Sequence, residues 1–180
     1  MGTLTIELPP QSAQTEFNLR RWSELVMDRE LSKFEGRIET DRHGHIIMSP
    51  PPAPSHGSHQ SQIAHLLHTL MTRGRTLTEC PISTADGVKA ADVASASAER
   101  MRELGNRVCF PRCPEICVEV ISPSNTEAEI QEKAALYFDA GAREVWLCAA
   151  SGAMRFLGPA AVALAASRLC PEFPNQIELR

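Results

Sequence analysis

The sequence predicts one α/β domain built on a mixed β-sheet with helices on its flanks. Three patterns lead there. Residues 115–148 read as strand, helix, strand. Ahead of that unit, a hairpin, an amphipathic helix and three short strands follow one another over residues 34–96. After it, two short apolar runs at 154–157 and 162–164 make a β tail of outer strands.

The first 14 residues carry Pro9 and Pro10 and no apolar periodicity, so they are expected to be a flexible arm ahead of a domain over residues 15–180. Residues 15–31 mix Phe17, Leu25 and Leu31 with Arg20, Arg21, Glu24 and Asp28, the pattern of an amphipathic helix. Residues 34–49 read as a hairpin: one strand ends at Ile38, residues 41–44 turn, and Ile46, Ile47 and Met48 return. Pro50, Pro51, Pro52 and Pro54 stop that strand, because proline has no N–H for a ladder. Ile63, Leu66, Leu67, Leu70 and Met71 then fall at i, i+3, i+4, i+7 and i+8, one face of a helix that Gly74 ends. Residues 76–80, 82–88 and 91–96 read as three strands, with Asp86-Gly87 as a turn signal. A short helix and loop at 99–112 carry Arg100, Arg102, Arg107 and Arg112, the one local basic excess. Residues 115–122 alternate, with Ile116, Val118 and Val120 on one face and Glu115, Cys117, Glu119 and Ile121 on the other. Pro123 stops this strand, Ser124 and Glu127 have the spacing of a capping box, and a helix over 126–140 ends at Gly141. Residues 144–148 form a buried strand, and no internal repeat is visible.

A chain of 180 residues buries roughly 70% of its unfolded surface, enough for a core without staples. Apolar residues at 43% and charged residues at 22% exclude a disordered tail, a collagen and a coiled coil. A net charge of −4 excludes a strongly basic nucleic-acid coat but not a local basic groove. No run of 18 apolar residues occurs, so no membrane span is expected. The first residues lack a charged segment followed by an apolar one, and Ile6 stands where an N-myristoylation pattern needs Ser or Thr. Cys80, Cys109, Cys113, Cys117, Cys148 and Cys170 are therefore expected as reduced thiols in the cytoplasm, several of them buried.

Two acids interrupt apolar strands. Asp92 lies between Ala90-Ala91 and Val93-Ala94, and Glu119 between Cys117-Val118 and Val120-Ile121. An ionised carboxylate is costly there unless a cation or donor meets it. The bland alternative is a strand-edge acid facing solvent; two such acids on neighbouring short strands weaken it. On the helix at 126–140, Ile130, Ala134, Tyr137 and Phe138 form the inward stripe. Lys133 sits at the edge of that stripe, either as a snorkelling surface lysine or as an ammonium near Glu119.

Arg37-Ile38-Glu39, residues 44–56, Gln60, Ala90-Ala91-Asp92-Val93, residues 114–124, Glu132-Lys133, Tyr137, Gly141 and residues 144–147 carry a resemblance in their order and spacing. Over roughly residues 30–178 the chain resembles a bacterial family of restriction-endonuclease-like proteins, often described only as a domain of unknown function. That family lies within the PD-(D/E)XK nuclease superfamily. The resemblance implies a restriction-endonuclease-like mixed sheet with an N-terminal hairpin, and a metal-dependent endonuclease acting on DNA. It matches Asp92 and Glu119 to the two carboxylates that hold Mg²⁺ or Mn²⁺, with the backbone carbonyl of Val120 beside them. It makes Glu39 and His56 weaker site candidates and implies a homodimer. Arg73, Arg75 and the arginines around 100–112 are then the expected backbone contacts. Three departures stand out. Ile121 occupies the place of the strand lysine two residues after the Glu, leaving Lys133 as its substitute. Ala91 replaces the usual proline, and Cys148-Ala149-Ala150 follows Trp146-Leu147 where an acid is common.

Rival readings each make a distinct expectation. A nuclease fold that binds DNA or a protein partner without cutting predicts Lys133 more than about 6 Å from Glu119, beyond ion-pair range. A Cys-rich metal or redox protein rests on Cys109, Cys113 and Cys117, whose spacing of four does not give two close pairs. His56 and His59, then His65 and His68, are three apart without the Glu of a zinc-protease helix, and His65 and His68 read as a solvated face. No Gly-rich phosphate loop and no nucleophile elbow occur, and aromatics at 5% do not interleave with the arginines.

Overall fold

The computed structural model describes residues 11–178. Helix α1 (Gln11–Val26) precedes a hairpin of β1 (Arg37–Thr40) and β2 (Ile46–Ser49). Helix α2 (Pro54–Leu70), β3 (Arg75–Thr84), β4 (Gly87–Ala96) and α3 (Ala98–Leu104) follow. Then come β5 (Ile116–Val120), α4 (Glu127–Asp139), β6 (Glu144–Cys148), β7 (Met154–Gly158) and β8 (Val162–Leu164). Strands β3 to β8 form one six-stranded sheet in chain order. Only β5 and β6 run parallel, because α4 carries the chain back between them.

The alternation in β5 assigns the two faces of the sheet. Ile116, Val118 and Val120 pack with Ile63 and Leu67 of α2 and with Trp146, Phe156 and Phe173. The Trp146 ring meets Phe156 edge-on at 5.1 Å and Phe173 at 4.6 Å. Cys117 faces the other way, into a layer with Ile130, Ala134 and Tyr137 of α4 and with Val145 and Leu147. Glu144 is buried at the start of β6, and its carboxylate accepts from Trp146 Nε1, Ser167 Oγ and the N–H groups of Arg168 and Leu169. It thereby ties the C-terminal segment to the sheet.

Several elements differ from the sequence expectation. Helix α1 already includes residues 11–14, because Gln11 donates to Asp139 O at 3.1 Å and Gln14 to Arg42 O at 2.9 Å. The rest of the expected arm, residues 1–10, lies outside the described residues. Residues 76–80 and 82–84 form one strand across Pro81, which is tolerated because β3 is an outer strand. The turn is Ala85-Asp86, closed by the Thr84–Gly87 pair. Gly87 has φ +80°, and a Cβ there would stand 2.3 Å from Asp41 O, so the hairpin loop packs against bare backbone.

The cap of α4 also shifts. Ser122, Ser124 and Asn125 bond one another in the preceding turn, and Thr126 is the cap instead. Glu129 N donates to Thr126 Oγ1 at 3.2 Å, and Thr126 N donates to Glu129 Oε2 at 2.8 Å. Thr126→Ala is expected to lower stability by about 1 kcal/mol in urea unfolding. An unchanged midpoint would mean that packing alone holds this end of α4. Among the described residues, no helix is long and apolar enough to cross a membrane.

Candidate active site

The antiparallel β4–β5 ladder pairs Val93 with Val118, and Asp92 and Glu119 are the next residues outward. Asp92 is only 1% exposed, so its charge must be met locally. Its Oδ2 accepts from Val120 N at 2.6 Å, the amide directly after Glu119, and lies 3.4 Å from His56 Nε2. Its Oδ1 is bound by the Arg37 guanidinium. Burial alone would raise the Asp92 carboxyl, but His56, Arg37 and the Val120 N–H outweigh it and hold it at about 2.

Glu119 has the opposite balance. Burial pushes its carboxyl up to about 7, against the pull of Lys133. Tyr137 donates its hydroxyl to Oε1 at 2.7 Å, and Lys133 Nζ stands 3.0 Å from Oε2. Lys133 and Tyr137 are four residues apart on α4, so both lie on the side that faces β5. Lys133 Nζ is also 3.1 Å from Glu39 Oε1 and 3.3 Å from Ala90 O. Burial alone would lower its pKa, but Glu119 and Glu39 raise it, so it remains an ammonium. Glu39 accepts from Ala90 N at 2.8 Å as well, which fastens the hairpin to β4.

Every site residue expected from the sequence lies in this region. Asp92, Glu119, Val120, Lys133, Glu39 and His56 all line one cavity of about 900 Å³. His56 stands in the first turn of α2, and its Nδ1 is buried without a hydrogen-bond partner among the described residues. The hydrogen bond to Asp92 raises its pKa, against burial.

Three further participants come from long-range register. Arg37 forks onto Glu79, with Nε 3.0 Å from Oε2 and Nη2 2.9 Å from Oε1. Gln60 of α2 donates to Glu79 Oε1 at 2.8 Å and to Asp92 O at 2.9 Å. Arg37 and Gln60 belong to the resemblance, whereas Glu79 looks in sequence like a solvent-facing residue of an edge strand. Tyr137 could have been found from its spacing of four from Lys133.

The expected backbone contacts from the arginines are corrected. Arg100 is buried and donates to Cys113 O and Gly141 O, so it holds the α3 region together and is closed to a phosphate. Arg112 pairs with Glu103, and no arginine from residues 73–112 lines the cavity. His59 is buried, while His65 and His68 are exposed. All six cysteines are buried free thiols, and the Cys113 and Cys117 sulfurs lie 3.1 Å apart.

Two carboxylates of this kind are hard oxygen donors that suit Mg²⁺ or Mn²⁺. Yet Arg37, Val120 N, His56, Tyr137 and Lys133 already engage all four of their oxygens. Among the described residues, no three His, Cys, Asp or Glu side chains converge on one metal position. A divalent ion therefore fits the donor chemistry, and at Asp92 Oδ1 it would compete with the Arg37 guanidinium. The cavity walls carry eight carboxylate residues against Arg37, Lys89 and Lys133, so the site calls for added positive charge.

A six-stranded mixed sheet with helices on both faces, an N-terminal hairpin, and Asp, Glu and Lys gathered at one cavity define a restriction-endonuclease-like fold. The crystal structure titled as a "putative nuclease belonging to DUF820" from Anabaena variabilis ATCC 29413 shares it. The TM-score is 0.70 at 16% sequence identity, covering 88% of this chain and 94% of that one. The chain belongs to the Uma2 family, described as "Putative restriction endonuclease", whose profile matches residues 26–154. No curated protein matches the sequence.

Proposed function

We propose that this chain is a divalent-metal-dependent endonuclease that hydrolyses DNA phosphodiester bonds. The observation that carries the reading is the meeting of Asp92, Glu119 and Lys133 on one cavity wall, with Lys133 Nζ 3.0 Å from Glu119. That distance is half the limit that would favour a non-cutting module. Asp92 and Glu119 would hold Mg²⁺ or Mn²⁺, with the Val120 carbonyl as a third oxygen. The bound metal supplies a water of lowered pKa and positive charge at the phosphate. As a ligand Glu119 would be held ionised by the ion, so its part is to bind the metal and not to take up the proton of the attacking water. Lys133 stays charged, so it acts as a donor that orients the water and stabilises the charge growing on the phosphate, not as a base. The hairpin supports this geometry through Glu39, which fixes Lys133 from the side opposite Glu119.

The acidic cavity argues that cations neutralise the site before a phosphate backbone enters. A homodimer would extend the groove beyond a single chain. β2 favours it, since it has no second neighbour among the described residues and exposes Ile46, Ile47 and Met48. Six reduced thiols suit the cytoplasm. A nuclease fold that binds DNA or a protein partner without cutting is the second reading. It is favoured by Ile121 in the place of the strand lysine and by the full hydrogen bonding of the two carboxylates.

Calorimetric titration with MgCl₂ and MnCl₂, alone and with duplex DNA, tests the reading, followed by plasmid cleavage. Wild type is expected to bind metal and nick DNA, and Asp92→Asn with Glu119→Gln to do neither while keeping the wild-type circular dichroism. A folded wild type that binds no metal even with DNA would move the chain to the second reading.

A further inference from the structure

We propose that Arg37 is a movable counter-ion that closes the acid pair to metal, and that Glu79 is the place where it parks when metal enters. This rests on the reading of Asp92 as a metal ligand. Arg37 binds Asp92 and Glu79 at once, but its two contacts differ. On Glu79 the guanidinium makes a complete two-pronged fork through Nε and Nη2, whereas on Asp92 only Nη2 is engaged. It can therefore give up Asp92 and keep its bidentate partner.

Glu79 is built for this and for little else. Its side chain is 48% exposed and lies outside the three core clusters. Yet it has φ +48°, a conformation that a Glu adopts only at a cost. It occupies the register position opposite Asp92, where the β3–β4 ladder runs from the Thr78–Val93 pair to the Cys80–Ala91 pair without a pair between them. The left-handed residue swings its carboxylate to Arg37, and Gln60 steadies it with a donated hydrogen bond. Strain on an exposed acid, held by a glutamine that also grips the Asp92 backbone, serves no packing purpose.

The consequence is competition for one carboxylate oxygen. Without metal, Arg37 neutralises buried Asp92. As a divalent ion takes over that charge, the guanidinium withdraws onto Glu79. It remains at the cavity wall, where a planar, always charged donor suits a phosphate oxygen. Arg37 is thus a positioning residue for metal entry.

The test is calorimetric titration of the full chain with MnCl₂ alone, with unfolding in EDTA as the fold control. Arg37→Ala is expected to bind Mn²⁺ roughly tenfold tighter than wild type, since the competing cation is gone. Glu79→Gln keeps one acceptor but loses the charge and one prong of the fork, and is expected to bind several-fold weaker. The double variant should match Arg37→Ala, because Glu79 matters only through Arg37. Should Arg37→Ala fail to fold, Arg37→Lys is expected to bind weaker than wild type, keeping a cation on Asp92 without the fork. Metal binding that Asp92→Asn abolishes, but that Arg37→Ala leaves unchanged or weakens, would overturn the latch and leave the metal site standing. In the reserve case, Arg37→Lys with wild-type affinity would do the same. Mn²⁺ bound by Arg37→Ala and not by wild type would support the latch in its strongest form. Mn²⁺ bound by neither would overturn the latch, and the same titration with duplex DNA would then decide the metal reading itself.

Discussion

Lys133→Met is expected to slow DNA cleavage by roughly 10²- to 10³-fold, the usual loss when one preorganised donor to a developing charge is removed. Methionine keeps the length of the stem along α4 and removes only the ammonium. Three contacts disappear together: Glu119 at 3.0 Å, Glu39 at 3.1 Å and the Ala90 carbonyl at 3.3 Å. Two carboxylates lose their shared counter-ion, and the Glu119 carboxyl moves further up from about 7. At neutral pH it is then mostly protonated and a poorer metal ligand. The variant should also be destabilised, because removing one partner of a buried pair costs about 3–5 kcal/mol. Protonation of Glu119 relieves part of that cost, so the loss should be larger at pH 8 than at pH 6. Initial rates of plasmid nicking, with urea unfolding at both pH values, measure the two effects separately. A variant that cuts within about threefold of wild type would remove Lys133 from the chemistry and turn attention to Arg37 or Lys89. Lys133→Arg should not restore the rate, since a planar fork cannot replace a point charge wedged between two carboxylates.

The parts of this molecule legible from sequence are those set by short-range pattern. Alternation around Glu119 assigns each residue of β5 to its face, and Ile63, Leu66, Leu67 and Leu70, with Met71 just past its end, mark the inward side of α2. Asp92 and Glu119 stood out because a carboxylate inside an apolar strand needs a reason. Lys133 was visible only as a residue at the edge of a stripe, and the resemblance suggested its direction. What stayed hidden depends on register between distant segments. Arg37 and Glu79 are 42 residues apart and meet only because β1 lies over β4. The backbone twist at Glu79 has no sequence signature, because glutamate seldom adopts it. The cap of α4 moved by two residues because Ser124 bonds Ser122 instead, a competition between neighbours that spacing alone does not resolve. The arginines near residue 100 suggest a phosphate contact by charge, yet Arg100 donates to the carbonyls of buried Cys113 and half-buried Gly141.

The split between Asp92 and Glu119 sets a pH dependence with a defined sign. Glu119 sits at about 7 in the folded chain, above the usual 4.5 of a free glutamate. Its contribution to stability is therefore complete below about 4.5 and is lost as pH rises through 7. His56, raised above 6.5 by Asp92, adds stability that is also lost as pH rises through its folded pKa. Asp92 works the other way: held at about 2, below its ordinary 3.8, it stabilises above 3.8 and loses that contribution as pH falls through 2. On these groups the metal-free protein should thus be most stable near pH 4 and weaken toward pH 8. The Glu119 share of that fall is on the order of 3 kcal/mol, at 1.36 kcal/mol per unit of pKa displacement. Glu119→Gln, which keeps the shape and cannot ionise, should flatten the decline, leaving only the part due to His56. On the proposed metal reading, binding would follow the opposite slope, because the ionised carboxylate would be the ligand. Mg²⁺ affinity should rise about tenfold per pH unit below 7 and level off above 8, with about one proton released per ion bound at pH 6. Urea unfolding in EDTA at pH 5, 6, 7 and 8, for wild type and Glu119→Gln, provides the decisive comparison. Parallel slopes in the two proteins would place the carboxyl well below 7 and leave the pH dependence to another group. A flattened slope, with proton release on Mg²⁺ binding, would make Glu119 the group that couples metal entry to pH in this site.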